Sequence, residues 1–156
     1  MPARGQASAA KQLAAFIAKF DAADQRRIRS VRAALRRRFP TACELVYDNY
    51  NFFVIGYSPT ERPSDAIVSL AARANGLSLF LLHGAGLPDP EKRLKGAGKQ
   101  TRFIPLESGR DLEDPAVEAL LAAALARSPA GFAASGRGRT VIRAVSAKQR
   151  PRRRPR

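Results

Sequence analysis

The stretch "ELVYDNYNFFVIGYSPTERPSDAIVSLAARANGLSLFLL", residues 44–82, decides the fold. It holds four short apolar runs: ELVY (44–47), FFVIGY (52–57), AIVSLAA (66–72) and LSLFLL (77–82). Each has the length and the β-branched or aromatic content of a strand. Asp and Asn in DNYN tolerate left-handed backbone and bond locally, so that segment reads as a turn, and RANG as another. SPTERPS is a Pro-rich loop. Strands joined by such short turns pair antiparallel.

Helices flank this core on both sides. Leu13, Phe16, Ile17 and Phe20 recur with the spacing of one buried helical face, and Ser8 is the expected cap of that helix. Ile28, Val31, Leu35 and Phe39 form the seam of a second helix, capped by Asp21 or Asp24 and stopped by Pro40. Beyond the strands, HGAGLPDP breaks regular structure, EKRL suggests one helical turn, and RFIPL (102–106) reads as a fifth strand. Asp114 and Pro115 open a third helix with a stripe of Val117, Leu120, Leu121 and Leu125. Clustered strands with helices at either end predict an α+β domain. The expected architecture is an antiparallel sheet of about five strands, covered on one face by two N-terminal helices and one C-terminal helix.

The domain plan is a flexible leader (1–7), the body (8–128), a linker (129–139), an edge strand or a segment that binds back on the body (140–146), and a basic disordered tail (147–156). No apolar run is long enough to span a membrane, and the N-terminus lacks the apolar region of a secretory signal, so a cytoplasmic protein is expected. The single Cys43 allows no internal disulfide and is expected to be buried and inert.

The net charge is +15, but it is uneven. Residues 1–128 carry 19 Lys/Arg against 13 Asp/Glu, whereas residues 129–156 carry 9 Lys/Arg and no acid. Such a tail attracts polyanions, so Arg150, Arg152, Arg153 and Arg154 are candidate nucleic-acid contacts. Arg29, Arg32 and Arg36 form a basic stripe on the second helix, which by itself reads as a solvated face.

GAGKQTRF (96–103) resembles a phosphate-binding loop, but Arg93 stands where such a loop needs its first glycine, Gln100 follows Lys99, and a strand follows instead of a helix. A softer reading keeps Gly96 and Gly98 as a backbone nest for an anion, flanked by Lys99 and Arg102; the plainer one is a glycine turn. In YDNYN, Tyr47, Asp48, Asn49, Tyr50 and Asn51 form either a hydrogen-bonding and stacking rim for a ligand or an ordinary turn, and Tyr47, Asn49, Tyr50 and Asn51 are the candidate ligand contacts. His83 is the sole histidine and reads as structural. Asp111, Glu113 and Asp114 are explained by a helix start. No nucleophile–base pair or metal set stands out, so an enzyme is not expected and no cofactor or metal is implied.

The segments "LVYDNYNFFVIGYSPTERPSDAIVSLA", "LSLFLLHGAGLPDPEKRLKGAGKQTRFIPLES" and "VIRAVSAKQRPRRR" resemble the YdhG-like family of bacterial proteins, a group of unknown function related in fold to YjbR-like and frataxin-like proteins. The resemblance covers about residues 10–128 and the basic ending, and implies a compact domain with a curved antiparallel sheet. It also suggests an alternative function, a frataxin-like iron-binding protein or iron chaperone. The acidic first helix of that pattern is missing here, where Lys11 and Lys19 occur and no acid precedes Asp21. The first expectation is therefore a small non-catalytic binding module. It offers the glycine loop and YDNYN to an anionic or polar ligand, with the tail contacting nucleic acid.

Overall fold

A computed structural model of the chain describes residues 4–155. Helices α1 (Arg4–Ile17) and α2 (Ala22–Arg38) come first. Strands β1 (Cys43–Asp48), β2 (Phe53–Ser58), β3 (Val68–Arg73), β4 (Gly76–Leu81) and β5 (Arg102–Pro105) follow. Helix α3 (Pro115–Arg127) and a last strand, β6 (Thr140–Val145), complete the chain. The fold is α+β, with a six-stranded sheet in the order β5-β4-β3-β2-β1-β6. Neighbouring strands from β1 to β5 are antiparallel, but β6 lies parallel to β1. The expected antiparallel sheet of five strands is thus a mixed sheet of six. Alternation in TVIRAVS announced a strand, but nothing in it named β1 as the partner or set the direction.

The pairing register sorts side chains between two faces. Val46, Ile55, Leu70, Leu79 and Ile104 stand opposite one another across five strands. All five are buried and face the helices in one core, as strand alternation requires. Buried residues of all three helices join that core, among them Phe16, Leu35 and Leu121. All three helices join the core on one face, as expected, but they are arranged unequally over it. α1 lies along β6, and α2 crosses β3 and β4. α3 reaches the rest through a short 3-10 segment, Gly109–Glu113, that is wedged against α2. That wedge needs a glycine: a Cβ on Gly109 would stand 2.6 Å from the Ser30 carbonyl oxygen.

Several local expectations change. α1 already runs through Arg4 to Ile17, so residues 4–7 of the expected leader are helical, residues 1–3 lie outside the described part, and Ser8 is inside the helix. Asp21 occupies the N-cap of α2 without bonding a helix N–H through its side chain. Asp114 does cap α3, accepting from the Ala116 N–H at 2.9 Å. That bond, and then the Arg93 guanidinium, hold its carboxyl below the ordinary value. EKRL is not a helical turn: the Asp89 carboxylate closes it by accepting from the Arg93 and Leu94 amides. Cys43 is half-buried rather than fully enclosed. The linker before β6 runs so close to the body that a Cβ on Gly138 would overlap the Ala42 carbonyl oxygen.

Candidate functional site

Two ends of the sheet must be distinguished. Since β1, β3 and β5 run one way and β2 and β4 the other, the β1–β2 and β3–β4 turns share one end, here called upper. β6, parallel to β1, also finishes there. The loop between β4 and β5 lies at the lower end. YDNYN is therefore upper, on β1, while Gly96, Gly98, Lys99 and Arg102 are lower, beside β5. Four strand spacings separate the two, roughly 19 Å. The candidate ligand-binding residues fall into two diagonal groups and share no concavity.

Arg102 turns back and donates through Nη1 to the carbonyls of Gly98 and Thr101. Gly96, with φ +112°, provides the left-handed turn, and the Lys95 and Phe103 backbones exchange two hydrogen bonds. Lys99 is exposed. The arrangement is a glycine turn stapled by its own arginine.

The upper group meets the C-terminal tail. The key residue is Asp48, fully buried at the end of β1 on the helix-facing side. Its Oδ2 lies 2.7 Å from Lys19 Nζ and its Oδ1 2.9 Å from Arg152 Nη2. Arg152 also donates to the Asn49 carbonyl and sits over the Phe20 ring, 6.0 Å from its centroid. It is 4% exposed. Gln149 donates to the Asp48 carbonyl at 2.9 Å, and the Ser146 amide does the same. The tail expected to be disordered is instead laid across the upper end, because a buried carboxylate demands cationic partners. Arg152, a candidate nucleic-acid contact, is spent on this anchor.

The other tail arginines take different positions. The Arg150 amide donates to the Tyr50 carbonyl, its Nε donates to Asn51 Oδ1 at 2.9 Å, and its guanidinium stands 5.5 Å from the Tyr50 ring centroid. Arg153 reaches the carbonyls of Lys19 and Ala18. Arg154 bonds Asn75 through its side chain and Asp21 through its amide. Between the tail and the β3–β4 turn lies an open cleft of about 690 Å³ lined by Phe52, Arg73, Asn75, Arg150 and Arg153 among others. Arg73, Arg150 and Arg153 are exposed, and among the described residues none forms an ion pair. Among the described residues, no carboxylate lines the cleft. Such a concavity suits an anion.

The structure thus joins Asn49, Tyr50 and Asn51 to the arginine tail, two sets that the sequence kept apart. Tyr47 is half-buried on the sheet face turned away from the helices, opposite Val54. Three contributors were missed: Asp48 as the anchor, and Phe52 and Arg73 in the lining. A signal for the first existed. Strand alternation puts Glu44 and Asp48 on the same face as Val46, so two carboxylates pointed at the core. Nothing in the pattern singled out Arg73, which ends an otherwise ordinary apolar strand.

Glu44 is answered elsewhere. Arg32 grips it with two 2.9 Å bonds, the Tyr57 hydroxyl donates at 2.8 Å and Thr140 Oγ1 at 3.0 Å. Arg32, expected on a solvated stripe, is therefore partly buried as the partner of a buried carboxylate. Burial would raise the Glu44 carboxyl, but the Arg32 bond and charge, with Tyr57 and Thr140, hold it below its ordinary value. Burial, and then the Glu44 charge, push the Tyr57 hydroxyl well above its ordinary value.

Among the described residues, no group of three or more His, Cys, Asp or Glu side chains could hold a metal ion, and no helix is long and apolar enough to cross a membrane. Comparison of the chain with protein-family models, with curated proteins and with solved structures finds no match.

Proposed function

We propose that the protein is a small non-catalytic binding module that recognises polyanions at the upper cleft. One observation carries this reading: Arg73, Arg150 and Arg153, none of them ion-paired among the described residues, line a concavity to which no described residue contributes a carboxylate. A negatively charged ligand recovers there the electrostatic energy that unpaired cations leave unused, and releases condensed counterions as it binds. The tail takes part as a built wall of the site, with Arg150 and Arg153 held by bonds to the body. In this reading the protein acts in the cytoplasm, where nucleic acids supply such ligands. Kinship with YdhG-like proteins belongs to the same proposal and is supported by the α+β architecture. The frataxin-like iron reading gains no supporting cluster among the described residues.

Heparin chromatography tests this. Replacing Arg73, Arg150 and Arg153 by Ala is expected to lower the eluting salt more than replacing Arg26, Arg37 and Arg110, three exposed arginines outside the cleft that are equal in charge. Equal shifts from both triple variants would reduce the effect to net charge and overturn the reading.

A further inference from the structure

The sheet face turned away from the helices is the second feature of the molecule without an assigned role. Its register brings Tyr47 opposite Val54, Ala71 opposite Ser78, and Phe80 opposite Phe103. Near β2 it is partly closed, where Ala66 comes within 3.8 Å of the position a Gly56 Cβ would take. Towards β4 and β5 it is open. Phe80 and Phe103 are half-buried there and stacked, with centroids 5.3 Å apart and rings inclined at 27°. An open cleft of about 530 Å³ runs from these rings past Ala71 and Ser78 to Phe52 and Arg73. The latter two also line the basic cleft, so the surfaces are continuous. The Arg73 guanidinium stands 5.9 Å from the Phe52 ring centroid at this junction.

We infer that this continuous surface binds single-stranded nucleic acid, with bases stacking on Phe52, Phe80 and Phe103 and phosphates held by Arg73, Arg150 and Arg153. The inference rests on the polyanion reading and names its ligand. The physical reason is the pairing of two surfaces. Aromatic rings on an exposed sheet accept any base through its π-face, and a bordering line of cations follows the backbone. A duplex hides its base faces and offers only phosphates. An acidic peptide offers charge without rings to stack. Small residues at Ala71 and Ser78 leave room for a flat group above the strands. Two carboxylates line this cleft towards the β3–β4 turn. Asp24 is neutralised by Arg27 at 3.1 Å and accepts from the Asn75 amide, and Glu107 lies 3.8 Å from Arg27. The strand's phosphates are therefore placed at the tail side, away from Glu107.

The test is fluorescence anisotropy with a labelled mixed-sequence single-stranded oligonucleotide, with heparin retention measured in parallel. The full chain is expected to bind the single strand at least about tenfold more tightly than the matching duplex, since stacking is open only to the former. Phe80→Leu with Phe103→Leu keeps the apolar packing and removes the rings; it is expected to weaken the single strand about tenfold and leave heparin retention unchanged. Ultraviolet crosslinking with peptide mapping gives a second readout on the unmodified protein, with adducts expected in β4 and β5. Unchanged oligonucleotide affinity in the leucine variant overturns the inference but leaves the polyanion reading standing, as does equal binding of duplex. Competition by polyglutamate as effective as that of the single strand, or crosslinks confined to the tail, also overturns it. Failure of the arginine triple variant to lose heparin retention more than its charge-matched control removes the polyanion reading itself.

Discussion

β1 carries a buried carboxylate at each end, and the two are held in different ways. At the lower end, Glu44 is enclosed by Arg32, Tyr57 and Thr140, drawn from α2, β2 and β6, and each member has its partner. At the upper end, Asp48 is held by Lys19 and by Arg152, whose Nε and Nη1 are buried without a hydrogen-bond partner among the described residues. The first cation sits in mid-helix and cannot leave. The second sits on an irregular segment after β6 and can withdraw to water. Breaking the lower cluster therefore strands a partly buried charge and the buried Tyr57 hydroxyl, whereas breaking the upper one releases a tail. One end of the strand is a lock of the fold, and the other is a latch that shapes the binding surface.

The largest expected effect is on the lock. Glu44→Ala leaves a partly buried Arg32 and the buried Tyr57 hydroxyl without their acceptor and is expected to cost about 2–3 kcal/mol in urea unfolding. A loss below about 1 kcal/mol would mean that Arg32 finds water, and the contrast between the two ends would vanish. For the latch, Asp48→Asn is expected to cost less, about 1–2 kcal/mol, because withdrawal of the tail caps the penalty. Trypsin should cleave after Arg152 faster in this variant than in the parent chain; unchanged cleavage would show that Asp48 does not hold the tail.

Acid separates the parent chain from a Glu44 variant. The folded value of Glu44 is depressed, so its stabilisation is fully present above the unfolded value of about 4.3 and is lost as pH falls through the lower folded value. Urea midpoints followed downwards from pH 5 should fall less steeply for Glu44→Gln than for the parent chain. Parallel curves would contradict the depressed value. The smallest effect belongs to the glycine loop: Lys99→Ala is expected to change stability by less than about 0.5 kcal/mol and to leave heparin retention within the shift of any single surface cation.

Much of this architecture was legible because it follows from periodicity. The seam from Ile28 to Phe39 and the runs between Glu44 and Leu82 needed only local pattern, and they became α2 and the first four strands. Pairing of β6 with β1 was not legible, since alternation marks a strand and says nothing of its neighbour. The tail was misjudged for a related reason. Pro and Arg content describes a segment by itself, and order here comes from Asp48, a hundred residues away. The site was half visible: YDNYN and the tail arginines were singled out separately, but their meeting is a tertiary fact. Arg73 and Phe52 carried no local mark at all.

Heparin retention of Asp48→Asn tests most directly whether the latched tail builds the binding surface. The substitution removes a negative charge, so net charge alone demands equal or tighter polyanion binding. If Asp48 positions Arg150 and Arg153, the folded variant must elute at lower salt than the parent chain. Elution at equal or higher salt would contradict the latch and the site built on it.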